Sequence, residues 1–419
     1  MTSIRSNKRV RLKFLAHIEM GQSPPSSEYS NLPEDGVPFL QGTADFGATI
    51  PSPKVYCRTS TKLAQVEDIL FSVRAPVGEI NLADQDYGIG RGLCAIRPSN
   101  KWNNRFGWWA LYEARYQLSF VSTGSTYEAV STEDVSNLLV TITSDKRQRA
   151  IADYLDRETA RIDALIAAKE RLLELLAEKR RALITQAVTR GLDPSVPLRD
   201  SGIPWLGGIP DHWKIVALRF LVDFTSGATP NTETREYWDG EIPWVSPKDM
   251  KQDEISDAQD HVSELALSES PLHLIKPEAV LIVVRGMILA HSFPTAVTTA
   301  PITINQDMKA LRCRSSLNPY YLRDFFRGNE QYIISLMDMA THGTRRLDTE
   351  VIGQLTVTLP SLGEQQIIID YIRDSTSLLD RTIVETENTI TLLKERRAAL
   401  IAAAVTGQIE VGRDPLYYS

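Results

Sequence analysis

A chain of 419 residues, 42% apolar and 24% charged, has the composition of an ordinary soluble globular protein and the length for two or three domains with proper cores. Its net charge of −7 excludes a polybasic protein that grips phosphates indiscriminately, and of its main segments only residues 146–193, at +3, are positive. Three cysteines without paired spacing fit a reducing cytosol, six scattered histidines offer no metal cluster, and the start lacks the apolar run of a signal peptide.

The first module opens with Val10-Arg11-Leu12-Lys13-Phe14-Leu15, followed by Gly21-x-x-Pro24 and Val37-Pro38-Phe39-Leu40. Short runs such as Ile69 to Val73 and Leu138 to Thr143, punctuated by Gly, Pro, Ser and Asn, predict strands. Gly88-Ile89-Gly90-Arg91-Gly92 superficially matches a dinucleotide fingerprint. Its spacing is wrong, however, and it leads into strand-like Leu93 to Pro98 rather than a helix. An aromatic-rich helix is expected over Arg105 to Phe120, then a polar loop, Ser122 to Tyr127.

Residues 146–190 then form a long predicted helix. Lys146 to Asp193 aligns without a gap onto Gly363 to Glu410 at a constant offset of 217, with 18 identities. The apolar columns run through Leu155, Ile162, Leu165, Leu172, Leu176 and Leu183 in the first copy, with Ile166, Leu173 and Ala187 in a further column. In the second they run through Ile372, Leu379, Ile383, Ile390, Leu393 and Leu400. Such a helix is about 60–70 Å long at about 1.5 Å per residue, more than a small module can bury. The two helices are therefore expected to pack on each other, antiparallel by chain order. The alternatives are packing within each half, or dimerisation.

Residues 191–214 are a Gly/Pro-rich linker or wrapped loop, in which Trp205 and Trp213 suggest packing. The second module, residues 215–362, repeats the first: Val216 to Leu221, Gly227-x-x-Pro230, Ile242-Pro243-Trp244-Val245 and Val284-Arg285. The most apolar segment, Val280 to Ala290, contains Arg285, is too short to cross a bilayer and reads as buried strand. A second aromatic helix is expected over Pro319 to Met337. Asn318-Pro319 fits a helix start better than the flipped-adenine loop of an amino-methyltransferase. The second long helix and tail occupy 363–410 and the residues to 419. The fold class is α+β: two mixed α/β modules (1–145 and 215–362) separated by a coiled-coil spacer, as a pseudo-twofold internal repeat.

No nucleophile elbow, P-loop or metal motif is present, so neither catalytic nor metal-binding residues are assigned. Two matched polar loops are the better candidates: Ser125, Thr126 and Tyr127 in the first module, and His342, Thr344, Arg345 and Arg346 in the second. Small hydroxylic residues with Gly admit phosphates closely, and Arg can fork onto guanine. Loop position and side-chain type add Gln41, Arg74 and Arg91, and Ser246, Lys248 and Arg285, as DNA contacts.

Together these features resemble the specificity subunit of a type I restriction–modification system. The resemblance covers nearly the whole chain. It rests on the order module, helix, module, helix and on the helix starts "KRQRAIADYLDRETARIDALI" and "GEQQIIIDYIRDSTSLLDRTI". The helix ends "EKRRALITQAVTRGLD" and "KERRAALIAAAVTGQIE" and the linker phrase "DSGIPWLGGIPDHW" also carry it. The first module departs from it by lacking a copy of the Trp-Leu-Gly phrase. The resemblance implies two target recognition domains reading a bipartite site in double-stranded DNA, and helices that act as a ruler and dock two methyltransferase subunits. It implies that those partners hold S-adenosylmethionine, that restriction subunits hold ATP and Mg, and that this cytoplasmic chain binds no cofactor or membrane itself. Residues 37–60 and 242–265 share little, so the two half-sites should differ. A protein-binding coiled-coil scaffold without DNA is the alternative.

Overall fold

Asp145–Arg190 and Leu362–Thr406 are continuous α-helices of 46 and 45 residues. Neither contains Pro, and Gly occurs only at Gly363 in the first turn of the second. Both stop where a glycine adopts the left-handed conformation, Gly191 at φ 74° and Gly407 at φ 78°. The computed structural model describes residues 8–118, 129–339 and 344–411. The chain divides into two units, one of residues 1–169 with 388–419, the other of residues 170–387. The unit boundaries thus bisect both helices, instead of falling between module and helix as the sequence segments do.

In the first unit an antiparallel sheet runs in the order Ala16–Met20, Leu93–Pro98, Ile69–Ser72, Ile80–Leu82. Its apolar face (Ile69, Phe71, Cys94, Ile96) packs on the helix Asn104–Ala114 through Phe106, Ala110 and Leu111. Ile151, Ala152 and Leu155 of the first long helix and Ile401, Ala404 and Val405 of the second complete that core. Farther along, Arg397 grips Asp163 with Nε–Oδ1 2.8 Å and Nη2–Oδ2 3.1 Å. Residue numbers rise along one helix as they fall along the other, so the two stretches are antiparallel.

The second unit repeats the plan. Its sheet runs Val222–Ser226, Met308–Cys313, Ala279–Val283, Thr295–Thr298, Glu254–Ile255, the last pair parallel. Ile184, Ala187 and Val188 share its core with Ile368, Ile369 and Ile372. Arg180 Nε meets Asp380 Oδ1 at 2.8 Å, the same ion pair displaced by 217 residues at both partners. The carbonyl of Val188, in the last helical turn, accepts from the buried hydroxyls of Thr358 (2.7 Å) and Tyr321 (3.2 Å).

A buried glutamine ties each long helix to the module before it. Gln148 Oε1 accepts from Asn103 N at 2.7 Å, and its Nε2 donates to Lys101 O and Thr143 O. Gln365 Oε1 accepts from Asn318 N at 2.8 Å, and its Nε2 donates to Ser316 O and Pro360 O. Fully satisfied amides of this kind fix geometry because any slip would strand buried polar groups.

Three expectations need correction. Along the first helix, full or partial burial falls on Leu155, Thr159, Ile162, Ile166, Lys169, Leu173 and Leu176, alternating steps of four and three, with Leu172 also half-buried, while Leu165 is 45% exposed. Leu165 and Ile166 are both apolar, and only one can face the partner helix. The run Val280 to Ala290 is not one strand: the strand ends at Val283, Arg285–Gly286 joins another sheet, and Met287–Ala290 is a 3-10 turn with Met287 exposed. The aromatic helices are also shorter. The first passes into 3-10 geometry at Arg115, and the second breaks at Asn329. The linker is ordered: Leu198–Asp200 pairs with Gly208–Pro210, Trp205 stacks on Tyr332 at 4.2 Å, and Trp213 Nε1 donates to Glu364 at 2.9 Å.

The seam assignment is testable. Leu155→Ala should destabilise the protein by about 2–5 kcal/mol in urea unfolding, whereas Leu165→Ala should stay within about 0.5 kcal/mol of wild type.

Candidate nucleic-acid interface

In the first unit, Val37–Leu40 runs parallel to Tyr87–Ile89, with Phe39 opposite Gly88 and Leu40 opposite Ile89. The two strands end side by side, so Gln41 and Gly90-Arg91-Gly92 leave the sheet together. The glycines permit this approach. A Cβ on Gly90 would lie 3.1 Å from Gln41 Cα, and one on Gly92 would lie 2.6 Å from Gln41 O. The glycine run therefore serves strand contact, with Arg91 presented between the glycines; its backbone N–H donates to Ser23 Oγ at 3.2 Å.

Arg74 arrives from the neighbouring sheet. Val73 N donates to Gly92 O at 3.0 Å, and Ser72 pins the turn that follows Arg74 by donating to Pro76 O at 2.6 Å. Gln41, Arg74 and Arg91 thereby line one open cleft of 450 Å³, with Ser23, Tyr29 and Thr43. Both guanidinium groups are exposed and have no ion-pair partner among the described residues. Two exposed cations lining one cleft with hydroxyl and amide groups are chemically suited to hold an anion and to hydrogen-bond polar edges beside it.

The second unit has the same frame and different side chains. Ile242–Val245 runs parallel to Thr303–Ile304, and Asn305 N donates to Val245 O at 2.9 Å as Gly90 N does to Leu40 O at 2.8 Å. Ser246 stands where Gln41 stands. It is buried, and it caps the turn Pro247–Asp249, with Oγ 2.8 Å from Asp249 Oδ2. Its side chain therefore has no surface to offer DNA, which corrects its assignment as a contact. Lys248 donates to Asp260 at 2.6 Å, a hydrogen bond that raises it further above its ordinary value and keeps it a cation.

Arg285 lies directly across a strand pair from Arg346, and Gly286 lies across from Arg345. Like charges directly opposite on a sheet are destabilising. Arg346 is partly offset by Asp348 at 2.7 Å and by Asp338, which lies across from it on the other neighbouring strand, and Arg345, half-buried, donates to Ile334 O at 3.4 Å. Arg285 is exposed with no ion-pair partner among the described residues. Thr344 is half-buried beside this sheet, whereas Ser125, Thr126, Tyr127 and His342 lie outside the described residues. Sequence reasoning passed over Ser23 and its counterpart Thr229, which hydrogen-bonds Gln306, the residue in Arg91's place. The matched Gly-x-x-Pro phrases held that signal, since both hydroxyl residues precede the proline.

Among the described residues there is no group of side chains that could hold a metal and no helix long and apolar enough to cross a membrane.

Comparison with known proteins agrees with this frame. The sequence model of the type I restriction modification DNA specificity domain matches residues 5–175 and 210–392. The chain therefore belongs to that family. It is 36% identical over 173 residues to a putative type I restriction enzyme MjaX specificity subunit of Methanocaldococcus jannaschii, covering 41% of this chain and 40% of that protein. It is 31% identical over 175 residues to the EcoR124I/EcoR124II specificity subunit of Escherichia coli, covering 42% and 43%. The aligned part thus spans well under half of these relatives. In fold it is similar to a solved chain of a type I R-M system, with TM-score 0.76 and 18% identity over 98% of this chain and 100% of that one. It is also similar to the HsdS subunit from Thermoanaerobacter tengcongensis, with TM-score 0.52 and 18% identity over 98% and 99%.

The opposed arginines give a test. Arg285→Ala should leave thermal stability unchanged or raise it at low salt, with the difference fading as salt screens the repulsion, although a surface cation has been removed.

Proposed function

We propose that this chain is the non-catalytic DNA-specificity subunit of a cytoplasmic type I restriction–modification complex, reading a bipartite, asymmetric site in double-stranded DNA. One observation carries the reading. On a duplicated frame the first unit presents Gln41, Arg74 and Arg91, while the second has Ser246, Arg285 and Gln306 at those places and sets Arg345 and Arg346 on the strand paired with Arg285. Equal frames with unequal donors suit two half-sites of different sequence. The local clusters also supply the cations that an overall charge of −7 withholds.

The partners in this reading are two methyltransferase subunits holding S-adenosylmethionine and restriction subunits holding ATP and Mg. The long helices offer them duplicated surfaces. Leu175, Glu178 and Ala182 in one helix, and Leu392, Glu395 and Ala399 in the other, are identical between the repeats yet exposed. Neither core nor seam explains those identities. The polar loops around Ser125 and His342, together with Thr344 and Lys248, complete the candidate DNA contacts.

Single-molecule methylation mapping of host DNA, with and without the gene, tests the reading. An asymmetric bipartite adenine motif should vanish with the gene. Arg74→Ala and Arg91→Ala should relax one half of that motif, and Arg345→Ala with Arg346→Ala the other, at about 1–3 kcal/mol per lost bidentate contact. Sequence-independent weakening would instead mark the arginines as phosphate contacts. A motif that survives deletion would favour the scaffold. Adding one heptad to both helices should widen the spacer and leave both half-sites unchanged; an unaltered spacer would refute the ruler.

A further inference from the structure

The two units share a second surface feature, on the modules and away from the arginines. In each, a short strand leads into a one-turn 3-10 helix, Leu12–Phe14 and Leu218–Phe220. Leu12 and Leu15, like Leu218 and Leu221, are buried, but the phenylalanine between them points outward. Phe14 is 67% exposed and Phe220 58% exposed. A cation is held against each ring: Lys13 Nζ lies 5.6 Å from the Phe14 centroid, and Arg219 Cζ 4.8 Å from that of Phe220. A lone exposed apolar residue is unremarkable, but the same one, with the same kind of neighbour, in both copies of a diverged repeat is not.

Position separates these rings from the DNA site. The strand Ala16–Met20 carries the chain from the Phe14 turn to Gly21, which packs against Gly90 next to Arg91. The strand Val222–Ser226 does the same from Phe220 to Gly227, against Asn305. Five strand residues span about 16 Å, so each ring sits at the far end of its sheet from the candidate base readers. The preceding strands, Lys8–Arg11 and Lys214–Ala217, pair with Leu139–Ile142 and Thr356–Leu359, the strands that lead into the long helices. Each ring therefore stands at the helix-bearing end of its module.

The surroundings are basic. Lys8, Arg9, Arg11 and Lys13 are exposed, and no acidic residue occurs from Lys8 to Ile18. Lys214 and Arg219 are exposed, with no acid from Lys214 to Val222; Arg314, which donates to the carbonyl of Phe220 at 3.3 Å, is paired with Asp223 at 2.9 Å, so Arg219 is the cation left at the ring. Arg9 lies 3.8 Å from Glu113, but Lys13 and Arg219 beside the rings have no ion-pair partner among the described residues, and an exposed ring flanked by such a cation matches an apolar socket with an acid at its rim.

We propose that Phe14 and Phe220, with Lys13 and Arg219, are equivalent anchor points for a protein partner bound in two identical copies, one on each unit. The proposal rests on the assembly described above and adds a surface to it that lies on neither the helices nor the DNA-reading loops. The duplication sets the copy number, and the charge sets the chemistry of the socket.

The test is native mass spectrometry of the full chain co-produced with its methyltransferase subunit. The wild type should carry two copies. Phe14→Ser and Phe220→Ser should each lose one, with affinity at the altered point down by about 30-fold, and the double variant should lose both. Phe14→Trp should restore binding. Since both rings are exposed, melting temperatures should stay at the wild-type value. If a serine variant melts early, Lys13→Glu and Arg219→Glu give the same reading by reversing the charge. Arg74→Ala with Arg285→Ala should keep both copies while losing DNA. Two copies retained at unchanged affinity in the double variant would overturn the anchors alone. Loss of DNA binding with both copies retained would place the rings on DNA and overturn them too. A wild-type chain that captures no methyltransferase would overturn the assembly as well.

Discussion

Burial of the helix ends is the interaction on which the rest of the structure depends. Ile401, Ala404 and Val405 lie in the core of the first unit, and their counterparts Ile184, Ala187 and Val188 in that of the second. Each buried Ile or Val among these contributes about 1.5–3 kcal/mol, whereas the half-exposed ion pairs Asp163–Arg397 and Arg180–Asp380 contribute about 1 kcal/mol or less. Packing therefore holds the helices, and the ion pairs set their register. Because each core takes the start of one helix and the end of the other, helix and module are one structure. The glutamine clips and the hydroxyls capping Val188 O then fix the direction in which each helix leaves its core.

Much of this was legible in the sequence because duplication removes ambiguity. A pattern that recurs at a fixed offset of 217 cannot be an accident of composition. The helix limits, terminated by glycine, were readable for the same local reason. Where reading failed, two physical options were equally apolar or equally polar. Leu165 and Ile166 both suit a heptad column, and only the angle at which the partner helix lies selects Ile166. Val280 to Ala290 has the hydropathy of one strand, but Arg285 and Gly286, whose φ of 146° suits glycine, divert the chain into another sheet. Ser246 looked like a loop donor, and Asp249 three residues on makes it a cap instead. The cleft of Gln41, Arg74 and Arg91 could not be seen in advance. It requires a parallel pairing between segments almost 50 residues apart, which no local pattern announces.

The two sites show how one frame can carry two chemistries. The strands, the glycine or asparagine approach, the bridging hydroxyl of Ser23 or Thr229 and the arginine at 74 or 285 recur, whereas the other displayed side chains do not. The cost of the second display is visible in its own geometry. Arg285 opposite Arg346 is a pair that folding alone would not favour, and an anion laid across it would relieve the repulsion. The core residues and the displayed residues are separate sets, which leaves the displayed set free to change without disturbing the cores.

The shared helix ends also impose an order on synthesis. Among the described residues the main apolar cluster of the second unit has no member beyond Ile372, so it can close while the rest of the second helix is still being made. The first unit, though translated earlier, waits for Ile401, Ala404 and Val405 to cover Ile151 and Leu155. Until then its apolar surface stays open on the ribosome, available to chaperones or to neighbouring nascent chains. The part of the protein made first is the part finished last.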